Sequence, residues 1–278
     1  MRLRELLHGV EVIRQNVPES LEITGVSCDS REMEKDSIFV AIPGNRCDGG
    51  DYAREALKRG AAAVVCQGKP PENLPRGAPL ILVADARKAL ARLACNWYEN
   101  PAKSLKLIGV TGTNGKTTTT YLIKHILEAT GEKTGLIGTV ENRAGEERFP
   151  ARRTTPNALE IQKILGKMVT NRCKFGVMEV SSHALLQDRT ENIPFTYEGG
   201  IDAFIQNEGV YQPDGGPPGL PQNYGALLRR QGEIVSPLPH GGVQRRRPLA
   251  TADFSRVPLP GAAVRTGGGS RPPGRGHP

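Results

Sequence analysis

Long apolar runs are missing from this sequence. The longest are short, such as Ala61 to Cys66, so no membrane insertion is expected. The N-terminal stretch MRLRELLHGVEVI sets charges among its leucines and lacks the continuous apolar core of a secretory signal. The five cysteines, at 28, 47, 66, 95 and 173, form no C-x-x-C pair, and no histidine is spaced around them as a zinc ligand would be. Scattered thiols in odd number fit a reducing compartment, and a cytoplasmic location is expected. Aromatic residues make up only 5% of the chain, and Arg245-Arg246-Arg247 is the only tight basic cluster. A nucleic-acid surface needs more of both, so no nucleic-acid partner is expected despite the net charge of +8. Lysine is absent after residue 197. From Glu198 onward there are nine Arg, sixteen Gly and twelve Pro, whereas the first 197 residues hold all twelve Lys.

What is present divides accordingly. The 278 residues suffice for roughly two domains. Residues 1–100 read as a small α/β domain. Strands are expected at Ser37 to Ile42, Ala61 to Cys66 and Leu80 to Val83, with helices at Asp51 to Arg59 and Ala86 to Trp97. Asn100-Pro101 breaks the pattern. Residues 101–197 read as a second α/β unit. Its strands are expected at Leu105 to Val110, Lys133 to Thr139 and Phe175 to Val180, and its helices at Thr117 to Ala129 and Ala158 to Val169. Alternating strands and helices imply a mainly parallel sheet, with ligands at the carboxyl ends of its strands. Residues 198–278 have a Pro/Gly/Arg-rich composition that reads as largely disordered.

The strongest chemical signal is Leu107-Ile-Gly-Val-Thr-Gly-Thr-Asn-Gly-Lys-Thr-Thr118, a strand entering a Gly-bearing turn that opens a helix. Gly112, Thr113, Asn114 and Gly115 would let backbone N–H groups curl around phosphates. The helix N-terminus at Lys116, Thr117 and Thr118 adds partial positive charge. Lys116 would reach the β and γ phosphates of ATP, and the Thr117 hydroxyl would hold Mg2+. Val110 stands where the stricter P-loop pattern has its first glycine.

The TGTNGKTT form resembles the Mur ligase and folylpolyglutamate synthetase superfamily, and the likeness extends outward. Cys28-Asp-Ser-Arg31 and Phe39-Val-Ala-Ile-Pro-Gly-Asn-Arg-Cys-Asp-Gly49 are similar to the UDP-binding N-terminal domain of those Mur ligases that add the third residue of the peptidoglycan peptide. By that resemblance Cys28 and Ser30 contact uridine, and Asn45, Arg46 and Cys47 line the same site. Arg153-Thr-Thr-Pro156 matches a family loop whose threonines, Thr154 and Thr155, bind the muramoyl-peptide. Met178-Glu-Val-Ser-Ser-His183, followed by Gln187 and Arg189, is similar to the signature MEVSSH-x-x-x-Q-x-R. Glu179 would ligate Mg2+ and act with Lys116 and Thr117 in catalysis. Ser181, Gln187 and Arg189 would bind the substrate's peptide and carboxylates. His183 is equally readable as structural.

The resemblance thus implies an α/β fold: a small UDP-binding domain, then a partial P-loop ATPase domain. It also implies a monomer that joins diaminopimelate or lysine to UDP-MurNAc-L-Ala-D-Glu through an acyl phosphate. The family's next segment, FTNLTxDHLDFHxTMExYxxAK, ends in a carbamoylated lysine and precedes a third domain. It is absent from the frame as given. Reading the last two bases of each codon with the first base of the next, from Val210 to Gly232, permits that whole segment without a gap. A shift of frame between about Arg189 and Val210 is therefore expected, and the polypeptide as written is expected to be truncated in function and inactive as a ligase. Two alternatives stay open: a non-catalytic nucleotide-binding remnant, and another ligase of the same superfamily. The segments CDSR and DGG speak against the folylpolyglutamate branch, which begins directly with its ATPase domain.

Overall fold

The computed structural model describes residues 1–44 and 47–200, side chains of 198–200 excepted. The first domain runs α1 (Leu3–Leu6), β1 (Val12–Gln15), β2 (Val26–Ser27), β3 (Ile38–Ala41), α2 (Ala53–Lys58), β4 (Ala63–Gln67), β5 (Leu80–Val83) and α3 (Ala86–Trp97). Its sheet has the order β1-β5-β4-β3-β2, parallel except for the edge strand β1. All four residues of β3 are buried, as a central parallel strand covered on both faces requires. Asp85 starts α3 by accepting hydrogen bonds from the Arg87 and Lys88 amides at 2.8 and 3.0 Å. The helix expected from Asp51 begins as a 3₁₀ turn over Gly49–Tyr52 before α2.

The second domain runs β6 (Lys106–Thr111), α4 (Lys116–Ala129), β7 (Thr134–Ile137), β8 (Glu141–Ala144), β9 (Glu147–Pro150), α5 (Ala158–Thr170), β10 (Phe175–Glu179), α6 (Ser182–Leu186) and β11 (Tyr197–Gly200). The sheet order is β11-β6-β10-β7-β8-β9. Its first four strands are parallel, and β8 and β9 add an antiparallel hairpin at one edge. β11 pairs with β6 through Gly200, three residues past the boundary expected at residue 197. The tail expected to be disordered lies outside the described residues from 201 onward, as do Asn45 and Arg46.

The domains share a core. Ala158 is buried in the same apolar cluster as Leu90 and Leu93 of α3, with Leu159 packed against it. Arg92 on α3 also donates to the Asn192 side chain. Burying apolar area across the junction fixes α5 against α3. The Arg153–Pro156 loop directly precedes α5, and its first residue, Arg153, lines the cleft between the domains. No helix among the described residues is long and apolar enough to cross a membrane.

Candidate nucleotide and substrate site

The turn expected to cradle phosphates follows from where β6 stops. Gly112 at φ 143° and Gly115 at φ 77° take backbone conformations that side chains disfavour, and the chain reverses through them into α4. The Lys116 ammonium lies back across this turn, donating to the Gly112 carbonyl at 2.6 Å and the Thr113 carbonyl at 3.2 Å. Thr113, Asn114 and Thr118 are exposed, as groups that meet a diffusing ligand must be.

Behind the turn sits Glu179, the last residue of β10 and fully buried. Its Oε2 accepts from Thr117 Oγ1 at 2.9 Å and from Thr139 Oγ1 at 3.0 Å, and its Oε1 accepts from the Thr139 amide at 2.8 Å. Three donors hold the carboxylate in place, which is how a buried charge is retained. The parallel pairing of β6 with β10 sets Glu179 opposite Val110, so both strands deliver their chemistry at one end of the sheet. Thr139 uses its one hydroxyl proton on Glu179, so Thr154 Oγ1, 3.1 Å away, donates to it.

A carboxylate and a hydroxyl 2.9 Å apart, beside the glycine-bearing turn, are hard oxygen donors of the kind Mg2+ takes. Among the described residues no group of three or more His, Cys, Asp or Glu is placed to hold a metal ion by itself. This donor set therefore suits a cation that keeps several waters and draws its other ligands from phosphates.

The remaining expected residues fall into two groups. Thr155 is buried, and its hydroxyl is consumed by the fold: it donates to the Glu179 carbonyl at 2.8 Å and accepts from the Ser181 amide at 3.0 Å. Ser181 caps α6, accepting from the Ala184 amide at 3.2 Å. Gln187 Oε1 accepts from Arg189 Nη2 at 2.6 Å and Nε at 3.1 Å, while Arg189 Nη1 donates to the Thr155 carbonyl at 2.7 Å. The guanidinium is thereby held at the cleft wall. His183 is exposed and stands apart from this network. On the first domain, Cys28 and Cys47 line the cleft, and Ser30 is buried in the 3₁₀ turn begun by Asp29. Burial pushes the Cys28 thiol up, so it meets a ligand as a neutral group. The cleft between the domains holds about 1500 Å3 and reaches from Cys28 to Arg189.

Sequence reasoning missed Thr139, Gly138 and Asn142. Asn142, fully buried on β8, accepts from the Gly138 amide at 3.2 Å and so shapes the turn that presents Thr139. Gly138 has no room for a side chain, because a Cβ would stand 2.5 Å from Glu179 Oε1. Gly138→Ala is expected to displace the carboxylate, weaken Mg2+-nucleotide binding and cost about 1–3 kcal/mol of stability. Urea unfolding alongside nucleotide titration would check both effects.

A mainly parallel sheet with a glycine-bearing strand-to-helix turn, a buried carboxylate behind its threonine and a cleft against a second α/β domain together define the two-domain α/β class of protein to which the comparisons point. The chain belongs to the Mur ligase family. The family's catalytic domain matches residues 22–98, and the Mur ligase middle domain matches residues 110–201. The UDP-N-acetylmuramoyl-L-alanyl-D-glutamate--2,6-diaminopimelate ligase 1 of Clostridium acetobutylicum is 42% identical over 195 residues, covering 70% of this chain and 40% of its own length. The similarly named ligase of Gloeobacter violaceus is 45% identical over 195 residues, with 70% and 39% covered. A solved structure of such a diaminopimelate ligase shares the fold at TM-score 0.60 and 23% identity, over 84% of this chain and 45% of that one. The chain thus spans about two-fifths of the length of the curated relatives it matches. Mur ligases are ATP-dependent ligases.

Proposed function

We propose that the chain binds ATP with Mg2+ at the Gly112–Thr118 turn and UDP-MurNAc-L-Ala-D-Glu in the interdomain cleft. In this reading it serves the cytoplasmic, ATP-dependent addition of diaminopimelate or lysine to that precursor. The observation that carries the reading is the 2.9 Å contact between Thr117 and Glu179 at the end of the sheet where Lys116 crosses the loop. Lys116 would leave the loop carbonyls for the β and γ phosphates, and Thr117 and Glu179 would hold the cation. Mg2+, when bound, would offset charge on the transferring phosphoryl group. Arg189, fixed by Gln187 and Thr155, would take a substrate carboxylate, and the loop at Thr154 would set the D-Glu side chain toward the γ-phosphate. Attack by that carboxylate on the γ-phosphorus would break the bond to the bridging oxygen, release ADP and give an acyl phosphate. The incoming amine would then displace phosphate as the amide forms.

A second reading applies to the polypeptide as written and rests on residues 210–232, whose codons permit the family segment FTNLTxDHLDFHxTMExYxxAK only in a shifted frame. The 278-residue chain is then a binding module without turnover. Purified chain supplied with ATP, Mg2+, UDP-MurNAc-dipeptide and either amino acid is expected to release no phosphate above background. Phosphate release at an enzyme's rate would exclude this second reading and support the first for the chain itself. ATP titration with and without Mg2+ tests the site in either case, and absence of Mg2+-dependent ATP binding would overturn both readings.

A further inference from the structure

Thr139 grips both oxygens of the Glu179 carboxylate. Its amide donates to Oε1 at 2.8 Å and its hydroxyl to Oε2 at 3.0 Å. Two donors from one residue fix the plane of a carboxylate as well as its position. The backbone half of this grip is built into the turn. Asn142 Oδ1 accepts from the Gly138 amide at 3.2 Å, and a Cβ at Gly138 would stand 2.5 Å from Oε1. The hydroxyl half is not built in, because Thr139 is exposed and water competes for its proton.

Support for the hydroxyl comes from another loop. Thr154 Oγ1 lies 3.1 Å from Thr139 Oγ1. Each hydroxyl carries one proton, and the charged acceptor forms the stronger bond. The Thr139 proton therefore goes to Glu179, and Thr154 supplies the proton between the two hydroxyls. The chain runs one way, from Thr154 to Thr139 to Glu179. It leaves half-buried Thr154 with lone pairs for a ligand N–H and no proton for a ligand oxygen. An N–H donated to Thr154 polarises its hydroxyl, and each bond then strengthens the next. The loop is tied to Glu179 a second time, since the Thr155 hydroxyl donates to the Glu179 carbonyl at 2.8 Å.

We propose that Thr139 is a positioning residue that couples the Thr154 loop to the carboxylate of Glu179, so that the muramoyl-dipeptide and Mg2+-ATP tighten each other's binding. This rests on the reading of the two sites given above and adds the link between them. A ligand that fixes Thr154 spares the cation the cost of fixing Glu179, and linkage makes the effect reciprocal.

The test is calorimetric titration of the full 278-residue chain with ATP, with and without Mg2+ and with and without saturating UDP-MurNAc-L-Ala-D-Glu. Wild type is compared with Thr139→Val, Thr139→Ser, Thr154→Val and the double variant Thr139→Val/Thr154→Val. In wild type the dipeptide precursor is expected to tighten Mg2+-ATP by about fivefold or more and to leave Mg2+-free ATP nearly unchanged. Thr139→Val keeps the side chain's shape and the amide bond to Oε1, and is expected to bring that factor close to one. Thr139→Ser should restore most of it. Without the precursor, Thr154→Val should weaken Mg2+-ATP severalfold on its own and no further in the Thr139→Val background. A factor near one in wild type would overturn the coupling while leaving both binding sites intact. A wild-type factor that persists in Thr139→Val would overturn it as well. Additive losses in the double variant would do the same, by putting Thr154 in direct contact with the cation. Wild type that shows no Mg2+-dependent ATP binding, or no binding of the precursor, would overturn the reading of the sites and the coupling with it.

Discussion

Glu179→Ala is expected to abolish the Mg2+ dependence of ATP binding and to destabilise the chain by about 3 kcal/mol. The two effects share one cause. Glu179 is fully buried and accepts from the Thr117 hydroxyl and from both the amide and hydroxyl of Thr139. Removing it leaves the half-buried Thr117 hydroxyl and the Thr139 amide and hydroxyl without their acceptor, and such a group costs about 1–3 kcal/mol where water cannot reach it. The vacated volume adds a packing loss. The hydroxyls can turn toward new partners, which is why the total stays near the cost of one or two such groups. Glu179→Gln tests the charge separately: it keeps the volume and one carbonyl acceptor, so stability should fall less while the Mg2+ dependence is still lost. Urea unfolding and nucleotide titration at fixed Mg2+ would read both. Full Mg2+-dependent binding by the glutamine variant would remove Glu179 from the metal site.

How much of this arrangement was legible in the sequence depends on whether a residue's placement shows in its neighbours along the chain. Lys116 and Thr117 were legible because the turn is local: glycines, lysine and threonine sit within one strand-to-helix passage. Glu179 was legible as an acidic residue ending an apolar strand. The long elements α3 and α5 were found nearly to the residue, since apolar positions recur at helical spacing and Asp85 and Asn157 cap them. The hairpin β8–β9 was not found. Glu141-Asn-Arg-Ala144 buries an asparagine and an alanine on its inner face, and Glu147-Arg-Phe-Pro150 is mostly exposed, so neither offers alternating apolar residues. Thr139 escaped for a different reason. Its partner lies forty residues away in sequence, and only the parallel packing of β7 on β10 brings them together.

Lys116 makes the sharpest contrast with Glu179, because its removal should affect binding while leaving stability nearly unchanged. Its ammonium donates to the Gly112 and Thr113 carbonyls of a turn that is itself largely open to water. When the side chain is cut back to alanine, solvent can replace those bonds, so the change in unfolding free energy should be within about 0.5 kcal/mol. The phosphates of ATP have no such substitute. A lysine brought to the β and γ phosphates supplies a charge-assisted contact of about 1.5–3 kcal/mol, which corresponds to roughly tenfold to a hundredfold in affinity. Lys116→Ala is therefore expected to weaken ATP by that factor and AMP by far less, since AMP lacks both of the phosphates concerned. Parallel titration of the two nucleotides, with thermal unfolding of the same samples, would decide it. Equal weakening of ATP and AMP would place Lys116 as a support of the turn's shape. Loss of ATP alone would mean that the inward fold of Lys116 is a resting position, left when the triphosphate arrives.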